Sequence, residues 1–178
     1  MSYMKQRWGT IVNYGDCVQL YHMKSKKFIT IRDNELAIDE RENLSVALTG
    51  DGNVFSWLTV TPRFRIDREG DPVKSGAQIY LGCTQRTNEF VHASDVSHNS
   101  PRILREINCS MESTSWRVTV FQPAGDAAKK EVALHTMDIV SLFDPESQSN
   151  VTISTIGFDD EDGEGENEGE ADTSGAGG

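Results

Sequence analysis

A five-residue phrase recurs three times at equal spacing in this chain, and it constrains the fold more than any other feature. It reads Cys17-Val18-Gln19-Leu20-Tyr21, then Gln78-Ile79-Tyr80-Leu81-Gly82, then Ile139-Val140-Ser141-Leu142-Phe143. The anchoring leucines Leu20, Leu81 and Leu142 stand 61 residues apart both times. A second apolar position follows each leucine eight or nine residues later, at Phe28, Phe90 and Val151. A second marker echoes the period, because Ser56-Trp57-Leu58-Thr59-Val60 returns as Ser115-Trp116-Arg117-Val118-Thr119-Val120. A fixed period of this size means a repeated supersecondary unit whose faces are buried by stacking on its neighbours. Leu20, Phe28, Trp57, Leu81, Phe90, Trp116 and Leu142 are therefore the expected core.

Strand signals dominate the units. Val18 to His22 alternates, placing Val18, Leu20 and His22 on one face and Gln19 and Tyr21 on the other. Lys24-Ser25-Lys26-Lys27 reads as a polar turn before the β-branched return Phe28-Ile29-Thr30-Ile31, a hairpin pattern. Thr49 to Asn53 is a glycine-containing turn cluster, and Phe55 to Val60 alternates again until Pro62. The second unit repeats this order through Ile79, Leu81, the Thr84–Asn88 turn, Phe90-Val91-His92-Ala93 and a final strand Trp116 to Phe121. Asn34 to Leu48 fits neither period, and Pro101 to Ile107 reads as a short turn. The fold class is all-β, a closed or nearly closed structure of short strands.

The third unit opens at Asp138 and reaches Val151-Thr152-Ile153-Ser154, but no Ser-Trp strand follows. Phe158 leads instead into a run with nine acidic residues between Asp159 and Asp172, then a Gly-rich end. High charge without apolar residues cannot offset ordering entropy, so this tail is expected to be disordered. It also explains the net charge of −11: of 28 acidic residues the other 19 face 17 Lys and Arg, leaving a near-neutral body. That balance lacks the cationic excess that general nucleic-acid binding uses. No stretch approaches the ~20 apolar residues of a membrane span, and Met1 to Thr10 lacks the apolar run of a secretory signal. Three cysteines without a close-set pair suggest reduced thiols rather than a disulfide framework or zinc site.

No catalytic, metal or cofactor constellation is expected. His22, His92, His98 and His135 lack ligand spacing, and Cys17 and Cys109 read as small hydrophobes within or beside strands. Asp160-x-Asp162-x-Glu164-Gly165 imitates the start of an EF-hand loop, but its twelfth position would be Ala171. No nucleophile–base pair or phosphate loop is visible, so an enzyme is not expected. The exposed run Lys24, Lys26, Lys27 is the candidate interface.

Trp8 to Thr30, with its Trp-Gly-Thr-Ile-Val-Asn-Tyr-Gly-Asp-Cys-Val-Gln-Leu-Tyr-His-Met-Lys-Ser-Lys-Lys-Phe-Ile-Thr wording, closely resembles the amino-terminal region of inositol trisphosphate receptors. Gly52-Asn53 before Ser56-Trp57, Val91-His92-Ala93-Ser94, and Ile107-Asn108-Cys109 before Thr114-Ser115-Trp116 resemble it in the same order. The resemblance covers about Gly9 to Leu142 and implies a MIR-type β-trefoil, the suppressor domain of a calcium-release channel related to ryanodine receptors. It implies two trefoil repeats over 1–134, the start of a third repeat or of the next trefoil over 135–157, and a tail over 158–178. The unit from Asp138 also resembles the family's first repeat.

That resemblance implies a non-catalytic regulatory fragment acting through neighbouring domains and subunits of a homotetrameric channel, on the cytosolic face of the endoplasmic reticulum. Binding of inositol trisphosphate in the family uses a basic loop and a helical domain. Where the loop should follow Ile156 this chain carries acids, so no ligand residue is transferred and the ligand is expected only through regions absent here. Two alternatives stand beside this reading: a separate MIR module binding glycan or protein, and a soluble regulator of full-length channels.

Overall fold

The computed structural model describes residues 8–100, 102–121 and 132–153. The Asp159–Asp172 tract, its EF-hand-like run and Ser154 to Gly157 lie outside them. Thirteen strands occur in this part: β1 (Cys17–Val18), β2 (Tyr21–His22), β3 (Lys27–Leu36), β4 (Leu44–Thr49), β5 (Leu58–Pro62), β6 (Gln78–Cys83), β7 (Phe90–Ala93), β8 (His98–Ser100), β9 (Arg102–Leu104), β10 (Ile107–Ser110), β11 (Trp116–Val120), β12 (Val140–Asp144) and β13 (Ser149–Asn150).

All strand pairs are antiparallel. One row runs β1–β5–β6–β11–β12 and forms the wall of the barrel. The hairpins β2–β3, β6–β7 and β12–β13 grow from this wall, and β10 bridges β7 to β4 beside β3. The apolar faces of β5, β6, β7, β10 and β11 meet in one core containing Leu58, Val60, Ile79, Leu81, Cys109 and Val118. Alternation places these side chains inward, as the period of two requires.

The base of the barrel reveals the symmetry. Val12, Val73 and Leu134 are 61 residues apart and exposed by only 3%, 0% and 9%. The Val12 N–H donates to the Leu134 carbonyl at 2.8 Å, Leu134 to Val73 at 2.7 Å, and Val73 to Val12 at 2.9 Å. Three segments thus close a cyclic ring of backbone hydrogen bonds around a buried apolar centre. The next turn repeats as well, with positive φ at Gly15 (93°), Gly76 (90°) and Met137 (74°). Glycine suits that left-handed conformation, whereas Met137 accepts a strain of about 1–3 kcal/mol. The three hairpin turns likewise carry positive φ at Lys26, Asn88 and Gln148. Threefold corners around a barrel capped by hairpins are a β-trefoil.

Several local expectations need correction. Val18 to His22 is not one strand but splits into β1 and β2, because Leu20 turns its carbonyl to the Ile29 N–H at 3.0 Å. The region from Asn34 to Leu48 is the end of β3, a loop and all of β4 but its last residue, and an irregular register between Ile31 and Leu36 blurs the period. Pro101 to Ile107 is no isolated turn, since β9 and the first residue of β10 fall in it. Phe55 belongs to a 3-10 turn rather than a strand: Asn53 caps Val54–Ser56, and the Ser56 hydroxyl accepts from the Asn53 N–H at 3.0 Å.

The Ser-Trp echo is also offset by one residue. Trp116 lies opposite Ile79 while Leu58 lies opposite Val18. Val118 pairs with Leu142 as Val60 pairs with Leu81. Trp116 is therefore the counterpart of Leu58, and Trp57 precedes its strand. Because successive residues face opposite ways, the offset buries Trp116 and leaves Trp57 half-buried. Leu81 is buried with Trp116, Leu20 and Leu142 are half-buried against this centre, and Phe28 and Phe90 are half-buried in the hairpins.

Candidate functional site

The surface carries three features of site-like character: an apolar seam, a carboxylate-anchored polar hollow, and the lysine hairpin. The seam lies between the two ends of the barrel row. β1 pairs with β5 and β12 pairs with β11, but β1 and β12 do not pair with each other. The cleft between them has a volume of about 700 Å³ and is lined by Leu20, Trp57, Leu81, Val140 and Leu142 among others. Trp8, Tyr21 and Met137 stand exposed at its rim. Among the described residues no strand lies between β1 and β12 as β5 and β11 lie at the other two corners.

The polar hollow, about 360 Å³, lies where the 40–44 turn meets β10. Glu40 organises it. Its carboxylate accepts from the Asn108 side-chain amide at 2.6 Å, from the Asn43 amide at 2.9 Å and from the Asp95 N–H at 3.0 Å. Glu106 supports the same loop by accepting from the Ile38 and Asp39 N–H groups at 3.0 and 2.9 Å. Partial burial pushes the Glu40 carboxyl upward, but hydrogen bonds from Asn108, the Asp95 N–H and Ser94 outweigh it, leaving the group below its ordinary value. A lowered carboxylate stabilises the fold fully above its unfolded value of ~4.3 and loses that contribution as pH falls through the lower folded value. Glu40→Gln should accordingly lower stability by about 1–3 kcal/mol at pH 7, since Asn108 is fully buried. Melting temperatures from pH 7 to pH 3 check this, and the variant should show the flatter acid limb.

On the same side, Cys109 donates toward Glu89 at 3.7 Å, and Arg86 holds Glu89 at 2.6 Å. The hydrogen bond shared with Cys83, burial and the Glu89 carboxylate all raise the Cys109 thiol, so it stays protonated. Cys17, Cys83 and Cys109 are free thiols. His92 is buried and shares a 3.0 Å hydrogen bond with Thr114, whose hydroxyl also accepts from the Ala93 N–H at 2.8 Å. His22 shares a 2.7 Å hydrogen bond with Ser25 in the lysine hairpin, and His135 lies beside Asp138 at 3.8 Å. The backbone of His98 lies in β8. Among the described residues no group of three or more His, Cys, Asp or Glu converges as a metal site. No helix among them is long and apolar enough to cross a membrane.

Lys24, Lys26 and Lys27 are exposed together at the tip of β2–β3. They are well away in sequence from Glu40 and do not line the seam or the hollow. The sequence reading missed the seam, the Glu40 anchor and the buried triad. The triad had a visible signal, since Val12, Val73 and Leu134 obey the 61-residue period. Glu40 had none, because two of its partners, Asp95 and Asn108, are 55 and 68 residues away.

The class this geometry defines is a β-trefoil in which, among the described residues, no strand fills one corner of the barrel. Residues 2–127 match the family described as inositol 1,4,5-trisphosphate/ryanodine receptor. The chain belongs to that family and is a receptor-related domain; the family itself is one of receptors and not an enzyme class. It is 32% identical over 162 residues to inositol 1,4,5-trisphosphate receptor itr-1 of Caenorhabditis elegans, a match covering 87% of this chain and 6% of that protein. The chain thus spans a small part of that relative's length. Among solved structures it is similar to a C. elegans protein of unknown function (TM-score 0.65, 16% identity, 84% and 83% of the two chains). It is similar also to the SDF2-like protein of Arabidopsis thaliana (TM-score 0.63, 21% identity, 79% and 77% covered). At these identities the two structures bear on the fold alone, and they agree with the trefoil.

Proposed function

We propose that this chain is a non-catalytic regulatory segment of an inositol trisphosphate receptor-like calcium-release channel, acting through contacts with neighbouring domains and subunits of a homotetramer. The observation that carries this reading is the open seam, an apolar surface in a receptor-family domain whose curated relative is far longer. An exposed apolar cleft of this kind marks an interaction surface more readily than a reaction centre. The lysine hairpin supplies a second, cationic contact, and charges at a rim steer association. Its place is the cytosolic face of the endoplasmic reticulum, with 1–134 as the two-repeat trefoil segment, 135–157 as the start of its third repeat, and 158–178 as the tail. A rigid trefoil moves as a body when neighbouring contacts change, which is how an interface domain biases a gate.

The test is affinity purification of the tagged 178-residue chain from cells expressing a full-length inositol trisphosphate receptor. The receptor should be retained. Changing Lys24, Lys26 and Lys27 together to glutamate should reduce retention by about tenfold, the equivalent of ~1.4 kcal/mol. A chain that retains no receptor would sink the proposal, and unchanged retention by the charge-reversed variant would remove the lysines from it.

A further inference from the structure

The turns of the β2–β3 and β12–β13 hairpins occupy equivalent places in the trefoil and are built alike. In each, one side chain ahead of the turn accepts from the serine three residues further on. Asp144 does so for Ser147, whose N–H reaches the carboxylate at 3.3 Å and whose hydroxyl donates to it at 2.5 Å. His22 does so for Ser25, whose N–H donates to Nδ1 at 3.2 Å and whose hydroxyl lies 2.7 Å from the same nitrogen. A backbone N–H can only donate, so Nδ1 carries a lone pair and the Ser25 hydroxyl donates to it as well. The hydroxyl proton is thus directed at the imidazole, and the oxygen lone pairs are left on the outer side of an exposed residue.

The two serines differ in their surroundings. Ser147 is half-buried between Asp144 and the Ser149 hydroxyl at 2.6 Å, with Glu146 before it. Ser25 stands between Lys24 and Lys26, with Lys27 next, and all four are exposed. The tip can also be drawn out of the fold at low cost. β2 is two residues long, ends its row, and among the described residues pairs only with β3. The Lys26 N–H donates to the His22 carbonyl at 2.9 Å and closes the turn. Opening this tip breaks only a handful of solvent-exposed bonds, which puts it at the low end of local unfolding energies.

We propose that Ser25 is a phosphorylation site for a serine kinase that reads basic residues around its acceptor, placed so that the phosphate cancels the charge of the lysine hairpin. In the transfer the Ser25 oxygen bonds to the γ-phosphorus of MgATP and the bond from that phosphorus to the β–γ bridging oxygen breaks. ADP leaves, and the hydroxyl proton passes to the carboxylate base of the kinase. An acidic substrate groove meets Lys24 on one side of the acceptor and Lys26 and Lys27 on the other, whereas Asp144 and Glu146 repel it from Ser147. The product follows from charge. Phosphoserine carries about −1.5 to −2 at pH 7, so the three ammonium groups are left with a net charge of about +1. Phosphate oxygens accept strongly from ammonium groups, which turns the lysines onto their own loop and away from a partner. The site itself rests on the hairpin; only its effect on receptor retention rests on the interface reading above.

The test treats the folded 178-residue chain with MgATP and the catalytic domain of protein kinase C, which reads basic flanks, and maps the phosphate by tandem mass spectrometry. Ser25 should be modified at least about tenfold faster than Ser147, a difference of ~1.4 kcal/mol in barrier. Combining Lys24→Gln, Lys26→Gln and Lys27→Gln should slow modification of Ser25 by about tenfold or more, since the attraction is electrostatic. Ser25→Ala should remove the mapped phosphate. Circular dichroism establishes that the variants fold, and the comparison of Ser25 with Ser147 in the unaltered chain needs neither of them. The phosphorylated chain should then retain full-length receptor about threefold less than the untreated chain. Phosphate mapped elsewhere with Ser25 unmodified, equal rates at the two serines, or a rate indifferent to the lysines would overturn the site. Modification of Ser25 only after heat denaturation would do the same. Equal retention of receptor by phosphorylated and untreated chains would overturn the charge-cancelling role. If the untreated chain retains no receptor, the interface reading fails, and the phosphate map alone decides the site.

Discussion

Replacing Trp116 with alanine is expected to remove about 3–5 kcal/mol of stability, the range for deleting a buried aromatic side chain. Trp57→Ala, by contrast, should cost only ~1 kcal/mol, near the centre of the range for point substitutions. Trp116 is 1% exposed in the core, and its indole N–H donates to the Val91 carbonyl at 3.1 Å. Deleting it leaves a void and an unpaired carbonyl together. Trp57 is half-buried at the seam, where water already has access to one face. At about 2–4 °C per kcal/mol for a chain of this size, the first variant should melt roughly 6–20 °C lower and the second only a few degrees lower. Thermal melts of the two variants measure the difference. Equal losses would mean that the two tryptophans occupy equivalent positions and that the one-residue offset is wrong.

A larger loss is expected at the base. Val73→Asp should abolish cooperative folding, because Val73 is wholly buried and sits between Val12 and Leu134 in the backbone ring. A carboxylate there would have an apolar neighbour on each side, and an isolated buried charge costs several kcal/mol even after its ionisation is suppressed. That approaches the ~5–15 kcal/mol by which a domain is stable at all. Val73→Ala, which keeps the backbone bonds and loses two methyl groups, should cost only about 1–3 kcal/mol. Circular dichroism during urea titration compares them: the alanine variant should retain a sigmoidal transition at lower urea, and the aspartate variant should show none. A cooperative transition in the aspartate variant would contradict the ring's role as the closure of the fold.

Much of the architecture was legible because it repeats. The leucine period located β6 and β12 and placed Leu20 between β1 and β2, and the residues around Val118 and Val60 formed strands as their alternation requires. The tryptophan offset shows where that reading failed. The Ser-Trp pair returns after 59 residues, whereas the structural counterparts Leu58 and Trp116 stand 58 apart, and in a structure of period two that one residue decides which side chain enters the core. Trp57 and Trp116 look alike as words and differ as positions. The polar anchor was illegible for another reason. Glu40 acts on Asn108 and Asp95 through loops of unequal length that no periodicity links, and a lone glutamate between Asp39 and Arg41 carries no mark of its role. The seam could be read only in part. The absence of a third Ser-Trp strand was visible in the sequence, but the location of the gap depends on β1 and β12 being the two ends of one row.

The ring at the base also ties the first described segment of the polypeptide to the head of its third unit. The Thr136 N–H donates to the Thr10 carbonyl at 2.8 Å and the Thr10 N–H to the Thr136 hydroxyl at 3.1 Å, across 126 residues of sequence. A tug on the segment before Thr10 is therefore borne by Thr136, at the head of the segment that runs on into β12 of the barrel wall, so a pull on this flank is delivered directly to the wall opposite β11.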